Sequence, residues 1–188
     1  MTTATRTRHI PGEEGIWAFI FGDLVIFAVF FLTFIFYRGE NPELYASQQA
    51  LLSEGLGLLN TLLLLTSSLF MAQAVRVARH GGAQLPGLLA AVIVCGLGFV
   101  GVKVIEWGSK IQDGITLNTN EFFTFYYMFT GIHLIHVLIG LAVLVWLFLR
   151  SLREPASGMI GVLESGGAFW HLVDLLWVVL FALLYLMK

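Results

Sequence analysis

Apolar residues fall into five runs along the chain, parted by short polar breaks that carry glycine, proline and charge. The first run covers about residues 15–37, is rich in Phe, and has Asp23 as its one charge. It ends in Arg38-Gly39-Glu40-Asn41-Pro42, which reads as a polar turn. The second, about 56–75, holds the uncharged polar cluster Asn60, Thr61, Thr66, Ser67 and Ser68, and is closed by Arg76, Arg79, His80, Gly81 and Gly82. The third, about 85–107, places Gly87, Ala91 and Cys95 at every fourth position, a small-residue stripe suited to close helix contact, and brings Lys103, Glu106 and Trp107 to its far end. The fourth, about 122–149, contains His133 and His136 between Gly131 and Gly140, and Arg153, Glu154 and Pro155 break it. The fifth, about 169–187, opens on His171 and Asp174, with Trp170 and Trp177 on either side.

A helix needs about 20 apolar residues to cross the hydrocarbon of a bilayer, so the pattern predicts an all-α polytopic membrane protein, a bundle of five transmembrane helices. Residues 1–14 read as a cytoplasmic tail and 15–188 as one transmembrane domain, since no linker is long enough to divide it and no internal repeat stands out.

Composition agrees with that class. Of 188 residues 58% are hydrophobic and 12% charged, about half the charged share of a soluble domain, and the mean hydropathy is +0.87. The net charge of -2 says nothing about nucleic acid, and no basic cluster suggests it. The single cysteine, Cys95, leaves no disulfide framework, no thiol metal site and no Cys-x-x-Cys-His for covalent haem. The tail carries Arg6 and Arg8 but no short apolar core with a cleavage site, so it does not read as a signal peptide. With the N-terminus inside, Arg6, Arg8, Arg76, Arg79, Arg150 and Arg153 lie on that side, against Arg38, Lys110 and Lys188 opposite; six against three predicts N-terminus in and C-terminus out.

Few residues can carry chemistry. A carboxylate such as Asp23 in the bilayer costs roughly 2.5–3.5 kcal/mol, so it needs a partner, water or a proton; it reads either as a proton- or lipid-linked carboxyl or as a hydrogen-bonded anchor of the first helix. Lys103 and Glu106, three apart, can pair locally while the lysine snorkels to the interface, or can meet a zwitterionic headgroup. His133 and His136, also three apart, share one helix face and predict polar contacts with neighbouring helices or a headgroup. His171 and Asp174 read as a polar clasp between helices rather than as the outer partners of a metal ligand. Convergence of His133, His136 and His171 would make a metal site, but His-x-x-His alone is weak and no further ligands stand out. No Ser/His/Asp or Glu-x-x-His pattern points to a protease or di-iron enzyme. The residues leave two other classes to weigh, a small transporter lined by Asp23, Lys103 and Glu106 and a membrane metalloenzyme; the lack of an inverted repeat or broken helices argues against the first.

Five strings in order carry a family resemblance: residues 17–23 (Trp-Ala-Phe-Ile-Phe-Gly-Asp), 60–68 (Asn-Thr-Leu-Leu-Leu-Leu-Thr-Ser-Ser), 103–107 (Lys-Val-Ile-Glu-Trp), 130–140 (Thr-Gly-Ile-His-Leu-Ile-His-Val-Leu-Ile-Gly) and 169–177 (Phe-Trp-His-Leu-Val-Asp-Leu-Leu-Trp). The chain resembles subunit III of the haem–copper oxidase superfamily in its five-helix form. The resemblance implies a non-catalytic accessory subunit in a bacterial inner membrane, with no redox cofactor of its own. Haem and metal are expected in the catalytic partner subunit, and phospholipid in a cleft where the first two helices pack as a V against the others. It implies a proton- or lipid-linked role for Asp23, where mitochondrial-type members commonly have Glu. Arg38, Lys103, Glu106, Trp107, His133, His136, His171 and Asp174 are then expected to pair helices or meet lipid headgroups. The opening Pro11-Gly-Glu-Glu-Gly-Ile-Trp17 and the short length look more like the branch associated with nitric oxide reductase; the alternative is subunit III of a quinol or cytochrome c oxidase.

Overall fold

The computed structural model describes residues 14–187; the basic tail with Arg6 and Arg8, the motif residues Pro11 to Glu13 and the C-terminal Lys188 lie outside the described residues. Six α-helices follow one another: α1 (Glu14–Glu40), α2 (Pro42–Gln49), α3 (Glu54–Arg79), α4 (Leu85–Gln112), α5 (Glu121–Ser151) and α6 (Ile160–Phe181). A 3₁₀ turn (Ala156–Met159) leads into α6, and a π turn (Ala182–Leu186) continues it. Five helices are long and apolar enough to span a membrane: α1, α3, α4, α5, and α6 with its two flanking turns. The chain is a multi-pass, all-α membrane protein.

Local signals set the helix starts. Ser53 Oγ accepts from Leu56 N at 3.4 Å to cap α3, and Asn120 Oδ1 accepts from Phe123 N at 3.0 Å to cap α5. Pro42 and Pro86 sit in the first turns of α2 and α4, where a missing N–H removes no bond. The Arg38–Pro42 string is therefore not a simple turn. Pro42 restarts the chain as the short α2, which buries Tyr45 and Gln49.

The last span begins about ten residues earlier than expected. Glu164, Ser165, Gly166 and Gly167 lie before the fifth apolar run, but in the bundle they are helix. A Cβ on Gly167 would lie 3.2 Å from Met71 Cε, so the missing side chain lets α3 approach α6. His171 and Asp174 consequently lie mid-helix, where the sequence placed them at its opening.

Helix α6 is the centre of the bundle. Its span is 67% buried, against 22% for α1. It packs on α3 and α5, α4 closes the ring between those two, and Leu85, Leu89, Val92, Gly96, Phe99, Lys103 and Glu106 form the buried face of α4. The Gly87–Ala91–Cys95 stripe is offset from that face: Gly87 has open space where a Cβ would stand, and Gly96 makes the close contact. The first two spanning helices do not form a unit of their own. Helix α3 belongs to the central four, while α1 lies outside, against α6 and α5. The second half of α1 is held by ring contacts: Phe30 and Phe31 against Phe129, and Phe34 against Phe122, Phe125, Phe129 and Tyr45. Between the first half of α1 and α3 runs an apolar groove of about 480 Å³, lined also by α6.

Candidate functional site

Polar side chains inside the bundle gather in three places. The first is the seam between α3 and α6. Trp177 Nε1 donates to Thr61 Oγ1 (3.1 Å), Trp170 Nε1 donates to Ser67 Oγ (2.9 Å), and Ser68 Oγ lies 2.7 Å from His171 Nδ1. Ser67 in turn donates to Val92 O of α4 at 3.2 Å. The two indole contacts are seven residues apart on α6 and six on α3, about two turns on each, so one antiparallel register satisfies both. The hydroxyl cluster thus satisfies buried indole N–H groups that lipid could not. Thr66 is exposed, and Asn60 is buried with no hydrogen-bond partner for its amide among the described residues. Asp174 lies beside this seam, its Oδ2 3.8 Å from His171 Nδ1.

The second place is an aromatic cage around Lys103. Its Nζ is 2.7 Å from Glu106 Oε2 and 2.9 Å from Tyr185 Oη, and Tyr185 Oη donates to Glu106 Oε1. The ammonium also faces the rings of Trp177 at 4.7 Å, Tyr126 at 5.2 Å and Tyr185 at 5.5 Å. Lys103 does not snorkel, because α4 runs on to Gln112 and the pair is 1% exposed on both sides. The nearest partners for its charge are internal. Tyr185, on the terminal π turn, escaped sequence reasoning; a lone Tyr near the chain end carries no pattern. Trp107 packs against Tyr127 at 5.6 Å, with Nε1 lacking a hydrogen-bond partner among the described residues.

The third is the histidine stretch of α5. His133 and His136 do not point the same way, since three residues on a helix leave them about 60° apart. His133 turns inward: Nε2 is 3.0 Å from Val173 O, and the ring packs against Phe99 and Trp177. His136 turns toward α1, where Nε2 lies 3.3 Å from Asp23 Oδ1. Asp23 is thus not isolated. Its partner sits 113 positions along the chain, a contact that spacing could not reveal. His171 is committed to Ser68, so the three histidines do not converge, and among the described residues no three His, Cys, Asp or Glu side chains are placed to hold a metal ion.

Two groups of charge lie at the ends. At one, Arg79 binds Glu164 through Nε (3.0 Å) and Nη2 (2.8 Å), beside the apolar groove. At the other, Arg38 Nη1 donates to Gln49 Oε1 (3.3 Å), Asn120 Nδ2 to Gln48 Oε1 (3.0 Å) and Lys110 Nζ to Leu51 O (2.7 Å), tying α2 and its following loop to the spans. Burial, with Glu121 nearby, pushes the Tyr45 phenol well above its ordinary pKa.

The relatives give this arrangement a family. The chain is 30% identical to cytochrome c oxidase subunit 3 of Alkalihalophilus pseudofirmus over 179 residues, covering 92% of this chain and 85% of that one. It is 29% identical to quinol oxidase subunit 3 of Bacillus subtilis over 180 residues, with 92% and 85% covered. A heme-copper oxidase subunit I+III of Aeropyrum pernix matches at 26% over 184 residues, 93% of this chain and 22% of that longer one. These relatives are oxidase subunits, and nothing among them supports the lean toward the nitric oxide reductase branch. The family model for cytochrome c oxidase subunit III matches residues 5–188, so the chain belongs to the cytochrome c oxidase subunit III family.

Proposed function

We propose that this chain is the non-catalytic subunit III of an oxygen-reducing haem–copper oxidase in a bacterial inner membrane, taking electrons from quinol or cytochrome c. The observation that carries the reading is the match over nearly the whole chain to subunit III proteins of both oxidase kinds. The partner is the haem- and copper-bearing catalytic subunit; the Aeropyrum pernix relative, named for subunits I and III together, supports that pairing. This chain itself carries no haem or metal in this reading. The N-terminus faces the cytoplasm, which places the Arg79–Glu164 pair on the inner side.

Two supporting roles fit the geometry. The groove of about 480 Å³ between α1 and α3 takes a phospholipid, with apolar Ile20, Leu24, Val75 and Leu175 along the acyl chains and Arg79, 49% exposed, for the phosphate. Asp23 acts as a proton-linked carboxylate that sustains turnover. Among the residues expected to meet headgroups, Lys103 and His133 are enclosed by protein, so helix pairing is their role.

Affinity purification of the tagged chain from its native membrane tests the reading. The expected product is a haem-containing complex that consumes oxygen with quinol or reduced cytochrome c. A complex that reduces nitric oxide but not oxygen, or a preparation with no haem-bearing chain, would overturn it. Within that complex, Asp23→Asn is expected to leave assembly intact and reduce the number of turnovers before inactivation; lost assembly at normal specific activity would count against the proton role.

A further inference from the structure

The Asp23–His136 contact permits one proton count. His136 Nδ1 lies 2.9 Å from Ile132 O. A carbonyl oxygen only accepts, so Nδ1 carries hydrogen. Nε2 of a neutral imidazole is then a bare lone pair, and it faces Asp23 Oδ1 at 3.3 Å. With no proton between them, two acceptors would oppose each other. With two protons, a carboxylic acid would face an imidazolium and leave a positive charge uncompensated in apolar surroundings. The pair is largely enclosed: the Asp23 and His136 side chains are 11% and 15% exposed, and Phe27 (5.7 Å) and Phe169 (6.4 Å) flank the imidazole. Other titratable groups of α5 and α6 have partners of their own: His133 at Val173 O, His171 at Ser68 with Asp174 3.8 Å away, Glu164 at Arg79 and Arg150 at Glu154. The charges of α1 near Arg38 and Glu40 are at its far end.

We infer that Asp23 and His136 together form a one-proton site. The proton sits on Oδ1 and is donated to Nε2, or sits on Nε2 and faces the carboxylate; transfer between them breaks one bond and forms the other with no net change in charge. Asp23 Oδ2, which has no hydrogen-bond partner among the described residues, is the atom from which a proton enters or leaves the pair. His136 is a positioning residue in this scheme: it holds the count at one and aims the carboxyl. Only the use of the pair in turnover rests on the proton role proposed for Asp23; the count does not.

Infrared spectroscopy of the whole complex in lipid vesicles at neutral pH tests it. Asp23→Asn and carbon-13-labelled aspartate assign the carboxyl band, and His136→Gln assigns the imidazole ring modes. The expected result is one protonated partner, either a carboxylic acid with a neutral imidazole or a carboxylate with an imidazolium. A carboxylate beside a neutral imidazole, or a carboxylic acid beside an imidazolium, would overturn the site, and the labelled native complex gives that answer even where a variant fails to assemble. His136→Gln can still donate to Asp23 but takes up no proton, so it is expected to shorten turnover lifetime severalfold, as Asp23→Asn does, at normal assembly. One shared proton with unchanged lifetime in both variants would uphold the site and sink the turnover role alone.

Discussion

Gly140 of α5 lies directly under the indole of Trp170 on α6: a Cβ there would stand 2.7 Å from Cε3 and 2.8 Å from Cζ3. Gly96 of α4 meets the same indole, with a Cβ position 3.0 Å from Cη2, and Ser67 of α3 accepts its N–H. One side chain therefore touches three other helices, and two glycines make the room. In lipid, where apolar burial drives little association, such close packing holds helices together.

Gly140→Ala should destabilise the bundle by about 1–3 kcal/mol, the range for overfilling a packed interior. Gly131→Ala is the control, because a Cβ there meets Trp107 at an ordinary 3.7 Å. Reversible unfolding in mixed micelles should separate the two; equal effects would remove Trp170 as the reason.

Ser67→Ala leaves Trp170 Nε1 without its acceptor in a buried place. Interhelical hydrogen bonds in membranes average about 0.6 kcal/mol and reach about 1.7, so a loss near the upper figure is expected. Thr66→Ala, at an exposed neighbour, should change unfolding by little.

Glu106→Gln leaves Lys103 in its cage without a compensating charge. Breaking a buried pair from one side costs about 3–5 kcal/mol, whereas removing both charges is often close to neutral. The double variant Lys103→Met, Glu106→Leu should therefore be more stable than Glu106→Gln alone. A double variant as unstable as the single one would show that the cage shape, and not the charge pair, carries the stability.

Tyr45 gives a pH dependence outside the spans. Its folded-state pKa is raised, so the fold favours the neutral phenol. The stabilisation is fully present below the ordinary tyrosine pKa of about 10 and is lost as pH rises above it, because the unfolded chain then releases a proton that the folded chain retains. Docking of α2, followed by amide hydrogen exchange, should loosen above about pH 10, and Tyr45→Phe should remove that step.

How far the residues alone lead differs from helix to helix. Helices α3, α4 and α5 extend only a few residues past their expected limits, because caps and apolar length are local properties. The start of α6 was hidden, since Gly166 and Gly167 favour loops by propensity and become helical where α5 and α3 pack close to them. Asp23 was visible as a costly charge and His136 as a costly imidazole, but their meeting was not. Nor was the cage, where Lys103 and Glu106 are three apart while Tyr185 arrives from 82 positions away.

By itself the sequence determined the class, the spans and the family, because hydrophobic run length measures the bilayer and ordered strings mark descent. It also restricted intramembrane chemistry to a few costly residues. The tertiary structure alone decided which of them meet. A polar group in lipid is satisfied by whatever another helix presents at the same depth, and helix packing sets that, not spacing along the chain.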